Sequence, residues 1–196
     1  MLLLGSRLIG TRIMGLQTGT QLAVTKAPII DPGNLQITAY QVEGPLLVER
    51  PSFIRMADVR ELSDVGMIID SSDEFVGLSD VLSIEKLFNL NFSLIGLIVI
   101  DQAKHKLGKI SNYSLDTTSF MIQQLNVSRG GLKSLSETEL LIHRTQIIEI
   151  NDKSIIVRST AQKLQPIEKT AKLSYLNPFR NSSPQPESSH PITSDK

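Results

Sequence analysis

Three histidines, no cysteine and a scatter of serines and carboxylates are the raw material for chemistry in this chain of 196 residues. His105 falls in a polar loop, His143 near a strand end and His190 in a Pro/Ser-rich tail, a spacing that matches no zinc motif. Asp70, Asp73, Glu74 and Asp80 lack the alternating oxygen ligands and central glycine of a calcium loop. The sequence has no Gly-x-Ser-x-Gly elbow, and the glycines from Gly5 to Gly19 form neither a phosphate-binding loop nor a dinucleotide fingerprint. Without cysteine, thiolate catalysis, disulfides and cysteine metal sites are excluded, and a reducing cytoplasm is the expected compartment. No catalytic, cofactor or metal residue is assigned, and the expectation is a protein that is not an enzyme. His143 reads as a structural residue that holds a turn with Thr145 or Gln146.

What remains is recognition chemistry. Lys104, Lys106 and Lys109 with His105 form a local basic loop able to touch phosphates, and Arg7 with Arg12 is another such candidate. No aromatic residue is interleaved to stack bases. The 20 Lys plus Arg balance 20 Asp plus Glu, so the chain carries no broad footprint for a polyanion. In the tail, Tyr175 and Phe179, with Leu173 and Leu176, stand out as a short apolar docking segment among prolines and serines.

The elements that must hold these residues come in two sets. Leu8-Ile9-Gly10 opens one set and Leu94-Ile95-Gly96 the other, 86 residues on; the closings that begin at Glu61 and Glu149 lie 88 apart. Within each set the residues favour strands. Leu35 to Val42 alternates and then slips, and Ser119 to Val127 slips at the same place, which predicts a β-bulge near Ala39 and its counterpart. The turn residues follow the same division: Gly10, Asp31, Pro32, Gly33, Asp64 and Gly66 in the first set, Gly96, Gly108, Asp116 and Asp152 in the second. Ala23 stands where Gly108 does, so the first set does without that glycine.

Between the sets, Val81, Ile84, Leu87 and Phe88 recur at helical spacing behind an acidic stretch, with Ser79 or Asp80 as its cap and Ser83 a later alternative. That short helix is expected over a barrel mouth or the seam between copies. Met1 to Leu4 reads as a strand entering the first module, too short for a leader, and no run is long enough to cross a bilayer. Prolines and serines accumulate after about Lys163, where disorder is expected. The predicted organisation is a first domain at 1–72, an acidic and helical connector at 73–91, a second domain at 92–162 and a flexible tail at 163–196.

Glu139 to Ile150, the opening Leu94-Ile95-Gly96 and the stretch Lys106-Leu107-Gly108-Lys109-Ile110 resemble the PRC-barrel family. That family includes domains like those of the photosynthetic reaction-centre H subunit and of a bacterial ribosome-maturation factor. The resemblance covers roughly 6–69 and 93–158. It implies an all-β chain of two tandem small antiparallel barrels and an assembly or adaptor role with a protein partner; modules this small bury too little apolar area alone, so the two are expected to pack on each other. Its ribosomal relatives make a ribosome-associated or RNA-processing accessory factor the alternative. No ligand residue transfers through the resemblance, because the shared positions are barrel and turn positions.

Overall fold

The computed structural model describes residues 1–45, 47–129 and 139–158. In chain order the strands are β1 (Leu2–Leu4), β2 (Arg12–Gly15), β3 (Gln21–Asp31), β4 (Gln36–Glu43), β5 (Ser52–Arg55), β6 (Glu61–Ser63), β7 (Gly66–Ile69) and β8 (Phe75–Gly77). Helix α1 (Leu82–Asn89) follows, then β9 (Ile98–Asp101), β10 (Lys106–Asp116), β11 (Ile122–Ser128), β12 (Glu139–His143), β13 (Ile147–Ile150) and β14 (Ser154–Val157). The chain is all-β but for α1 and four short 3-10 turns among the described residues.

Two sheets result, and their strand orders correspond. The first runs β6-β7-β2-β3-β4-β5-β8 and the second β13-β14-β9-β10-β11-β12, with β1 attached to β10. Each holds one parallel pair, β2 with β7 and β9 with β14, in an otherwise antiparallel ladder. The expected closed barrels are not what the ladders describe: among the described residues neither sheet closes. In the first sheet, the edge of β5 where a ring would join is occupied by β8 instead.

The slip in the alternation has a structural cause. Ile29 pairs with Ala39 and Ile30 with Ile37, so Thr38 is an extra residue in β4; Gln123 is the extra residue at the same point of β11. Before the bulge Ile37 faces the main core, and after it Tyr40 and Val42 do, while Ala39 turns to the opposite face. A bulge moves the inward set by one residue, which restores burial after the pattern breaks. Further bulges at Lys26 and Ser111, and at Leu22 and Leu107, also hold matching places.

Three expectations are corrected. First, β1 does not enter the first sheet; it pairs with Ser114 to Asp116 of β10, on the edge that β9 leaves free beyond Lys109. Second, the acidic connector contains a strand, β8, that belongs to the first sheet. Third, neither Ser79 nor Asp80 caps α1: the N-cap is Val81, and the Asp80 carboxylate instead accepts the Gly77 N–H at 2.7 Å. The helix lies over the face of β3, β4 and β5 rather than a barrel mouth, with Ile84 packed in a small cluster with Ile29, Ala39 and Phe53, and its Leu87 and Phe88 line the seam, the other expected place. Phe53 and Phe88 meet edge to face, ring centres 5.5 Å apart.

One larger cluster joins the halves. Ile13, Ile37, Ile54, Met67 and Ile69 share it with Val99, Leu115, Ile122, Leu125 and Val157. Residues 1–158 lie within one compact unit, as expected of small modules that bury too little area alone. Among the described residues no helix is long and apolar enough to cross a membrane. The tail at 163–196 lies outside the described residues.

Candidate functional site

The basic loop is built on Asp101, the last residue of β9. Its carboxylate, 9 % exposed, accepts the His105 backbone N–H at 2.8 Å and sits 3.0 Å from His105 Nδ1. The His105 N–H, with the ring behind it, holds the Asp101 carboxyl below the usual carboxylate range. Lys104 N–H closes the turn on Asp101 O at 3.0 Å, with Lys104 in a left-handed conformation, φ 65°. Lys104, Lys106 and Lys109 are exposed, and none is paired with a carboxylate among the described residues.

Lys106 and Lys109 share a shallow depression of about 510 Å³ with Gly108, Ser128 and Arg129. Arg129 Nε donates to Leu107 O at 3.3 Å, which holds that guanidinium beside the lysines. The sequence reading missed Arg129, since it follows β11 and only the β10–β11 pairing brings it near. The depression carries no aromatic side chain, so it can attract anions but offers no stacking surface. At the matching place the first sheet has Thr18, Gly19 and Thr20, which are uncharged.

The turn residues fall as follows. Gly10 and Gly96 take φ 74° and 88°, and their N–H groups donate to Thr25 O and Ile110 O at 2.9 and 2.8 Å. In the β3–β4 turn Asp31 Oδ1 accepts from Gly33 N, and after β10 the Asp116 carboxylate accepts from Ser119 N and Oγ. The left-handed residue of those turns is not Gly33 but Leu35, φ 54°, matched by Phe120, φ 53°; both bury their side chains. Gly66 opens β7 at φ 135°. Asp152 is not the residue that ties its hairpin; Asn151 Oδ1 does so, accepting from Lys153 N, Ser154 N and Ser154 Oγ. His143 caps the turn after β12, with Thr145 Oγ1 at 2.8 Å from Nδ1 and its own N–H donating to Gln146 Oε1. Tyr175 and Phe179 lie outside the described residues.

Gly108 and Ala23 answer to one packing requirement in two ways. A side chain on Gly108 would run into the Ser128 carbonyl across the ladder. In the first sheet the corresponding crossing is kept open by Gly44, whose added Cβ would come within 2.5 Å of Leu22 O and 3.1 Å of Ala23 Cα. The glycine has changed strands, so the first sheet keeps the close approach.

The seam between the halves is a second recessed surface. Gln36 bridges Met121, with Ile37 N donating to Phe120 O at 3.0 Å and Ile122 N to Leu35 O at 2.8 Å. The partners occupy matching positions in the two halves, so a local two-fold runs through this bridge. A cavity of about 510 Å³ opens along the seam, lined by Ile9, Ile29, Phe88, Phe92, Ile95 and Tyr113 among others, with no charged side chain. Burial raises the Tyr113 hydroxyl to about 12 and that of Tyr40 further; Tyr40 Oη is buried with no hydrogen-bond partner among the described residues.

Comparison with protein families places a PRC-barrel domain at residues 90–164. That span takes in β9 to β14, the sheet that carries the basic loop. A comparison with curated proteins gives no match. Among the described residues no cluster of His, Asp or Glu is arranged to hold a metal ion.

Proposed function

We propose that the chain is a non-enzymatic cytoplasmic adaptor, in which the PRC-barrel domain and a second, divergent module of the same kind form one rigid body that binds a protein partner. The observation that carries this reading is the recurrence of six strands in one order, with bulges and left-handed turn residues at matching positions. A fused pair of sheets holds its outer loops at fixed separation, so a partner that touches both halves meets a surface already ordered. Exposed Ile9 and Ile95, matched across the seam, add apolar contact at its centre. Crosslinking and pull-down from the native cell, with the full chain and with one lacking residues 164–196, is the test. Capture of a defined protein that depends on surface residues of 1–158 supports the adaptor; capture of nothing above background opposes it.

A ribosome-associated or RNA-processing role is the second reading, favoured by the unpaired Lys104, Lys106 and Lys109 beside Arg129. It requires ribosomal proteins in the same catch. It also requires RNA affinity that falls, with a shallower salt dependence, when the three lysines are neutralised. Unchanged RNA affinity in that variant rejects the basic patch.

A further inference from the structure

Exposed strand edges invite pairing with other chains, and three of the four sheet ends here are blunted. β6 and β8 are three residues each, and β13 carries a bulge between Ile147 and Glu149. β12 is different. It runs for five residues in unbroken register against β11, and among the described residues no strand covers its other edge.

The first half shows how this position is otherwise treated. Phe53 in β5, opposite Gln41, corresponds to Leu141 in β12, opposite Asn126. β8 pairs antiparallel along β5, with Phe53 opposite Val76, and α1 packs over it, so Phe53 is 0 % exposed. Leu141 is 56 % exposed.

The row of side chains on that outer face identifies the occupant. Glu139, Leu141 and His143 are all exposed and alternate with the half-buried Leu140 and the buried Ile142. The row is acid, aliphatic, imidazole, and it complements itself when reversed. If a second β12 lies antiparallel and centred on Leu141, Leu141 faces Leu141, Leu140 faces Ile142, and Glu139 faces His143 at both ends. His143 Nδ1 is engaged by Thr145 Oγ1, which leaves Nε2 to meet the carboxylate.

From this register we infer that β12 is a homodimer contact: two copies of the chain pair antiparallel through Glu139 to His143 about a two-fold axis at Leu141, extending the PRC-barrel sheet across both. This contact is distinct from the binding of a protein partner proposed above, and either can stand without the other.

The absence of cysteine makes the test direct. In Leu141→Cys the chain has a single thiol, and antiparallel self-pairing sets the two Cβ atoms about 4.5–5.5 Å apart, close to the span a disulfide bridges. The full-length wild type should sediment as a dimer at high micromolar concentration. Leu141→Cys should form a covalent dimer on mild oxidation much faster than Val65→Cys, an exposed residue on the β6–β7 turn. Leu141→Arg, which sets two guanidinium groups face to face, should weaken dimerisation at least about tenfold with an unchanged circular dichroism spectrum, whereas Val65→Arg should not. A monomeric wild type, a dimer that survives Leu141→Arg, or equal oxidation of the two cysteine variants overturns the inference. Loss of the dimer with retention of a captured partner leaves the adaptor reading intact, and the reverse outcome removes that reading alone.

Discussion

A single carbonyl decides what residue can stand at Gly108. The Ser128 oxygen lies where a Cβ would go, and the same restriction in the first sheet falls on Gly44 against Leu22 O. Gly108→Ala and Gly44→Ala should therefore each cost about 1–3 kcal/mol, read from urea midpoints, by forcing apart backbone that cannot yield as a side chain does. The requirement was half legible. Gly108 stands out in the stretch that becomes the start of β10, but Gly44 follows β4, and only the ladder shows that it serves the crossing Ala23 occupies. Asp116 carries a pH dependence of defined sign. Its carboxylate accepts from Ser119 Oγ and N and faces the Met1 amino group at 3.2 Å, which holds it at about 2 against an ordinary 3.8. Its contribution to stability is complete above the ordinary value and is lost as pH falls from there toward 2. Asp116→Asn should flatten that part of the stability profile, measured by urea denaturation at stepped pH. Tyr40 is the opposite case: its buried hydroxyl has the Tyr113 hydroxyl near it but makes no hydrogen bond of ordinary geometry among the described residues, so Tyr40→Phe should change stability by no more than about 1 kcal/mol in thermal melts.

At the scale of elements, the helix between the halves shows what periodicity can and cannot carry. The spacing of Val81, Ile84, Leu87 and Phe88 marks an amphipathic turn of helix, and α1 stands there. Its cap does not follow from residue type, because Asp80 is already committed to the Gly77 N–H, a bond set by the end of β8. Asp80→Ala should cost about 1 kcal/mol while Ser79→Ala stays within about 0.5, the reverse of what a Ser79 cap demands. Ile84→Ala should cost about 2–4 kcal/mol, since its side chain is 2 % exposed between Ile29, Ala39 and Phe53. β8 itself left little trace in the sequence, because Phe75-Val76-Gly77 is too short for alternation to register and lies among acids. The bulge at Thr38 and its counterpart at Gln123 were legible for a physical reason: an extra residue shifts the inward set by one, and an aliphatic pattern records that shift directly; the other bulges left no such mark.

For the molecule as a whole, turn residues and closing hairpins, which are local and recur at nearly fixed spacing, pointed to two sets of strands, and two sheets with corresponding strand orders stand there. What joins the sets was not. The pairing of β1 with β10, the bridge from Gln36 to Met121 and the donation from Arg144 Nη2 to Asn34 O connect residues about a hundred positions apart, and each depends on which edge the neighbouring strands leave free. The basic loop was legible as lysines in a row, yet its fourth cation, Arg129, arrives only through the sheet. Among the described residues, open sheet ends rather than closed rings also leave an edge of β12 without a strand beside it, a property that no alternation pattern announces.

The claim under all of this is that two sheets of one strand order are locked together across a local two-fold. Proton–proton contacts measured by NMR on the full chain test it most directly. The account predicts backbone contacts along both parallel ladders, Ile13 with Met67 and Val99 with Ile155, together with contacts between Gln36 and Met121 across the seam. Parallel contacts in the second half alone, or no contact between Gln36 and Met121, would contradict it.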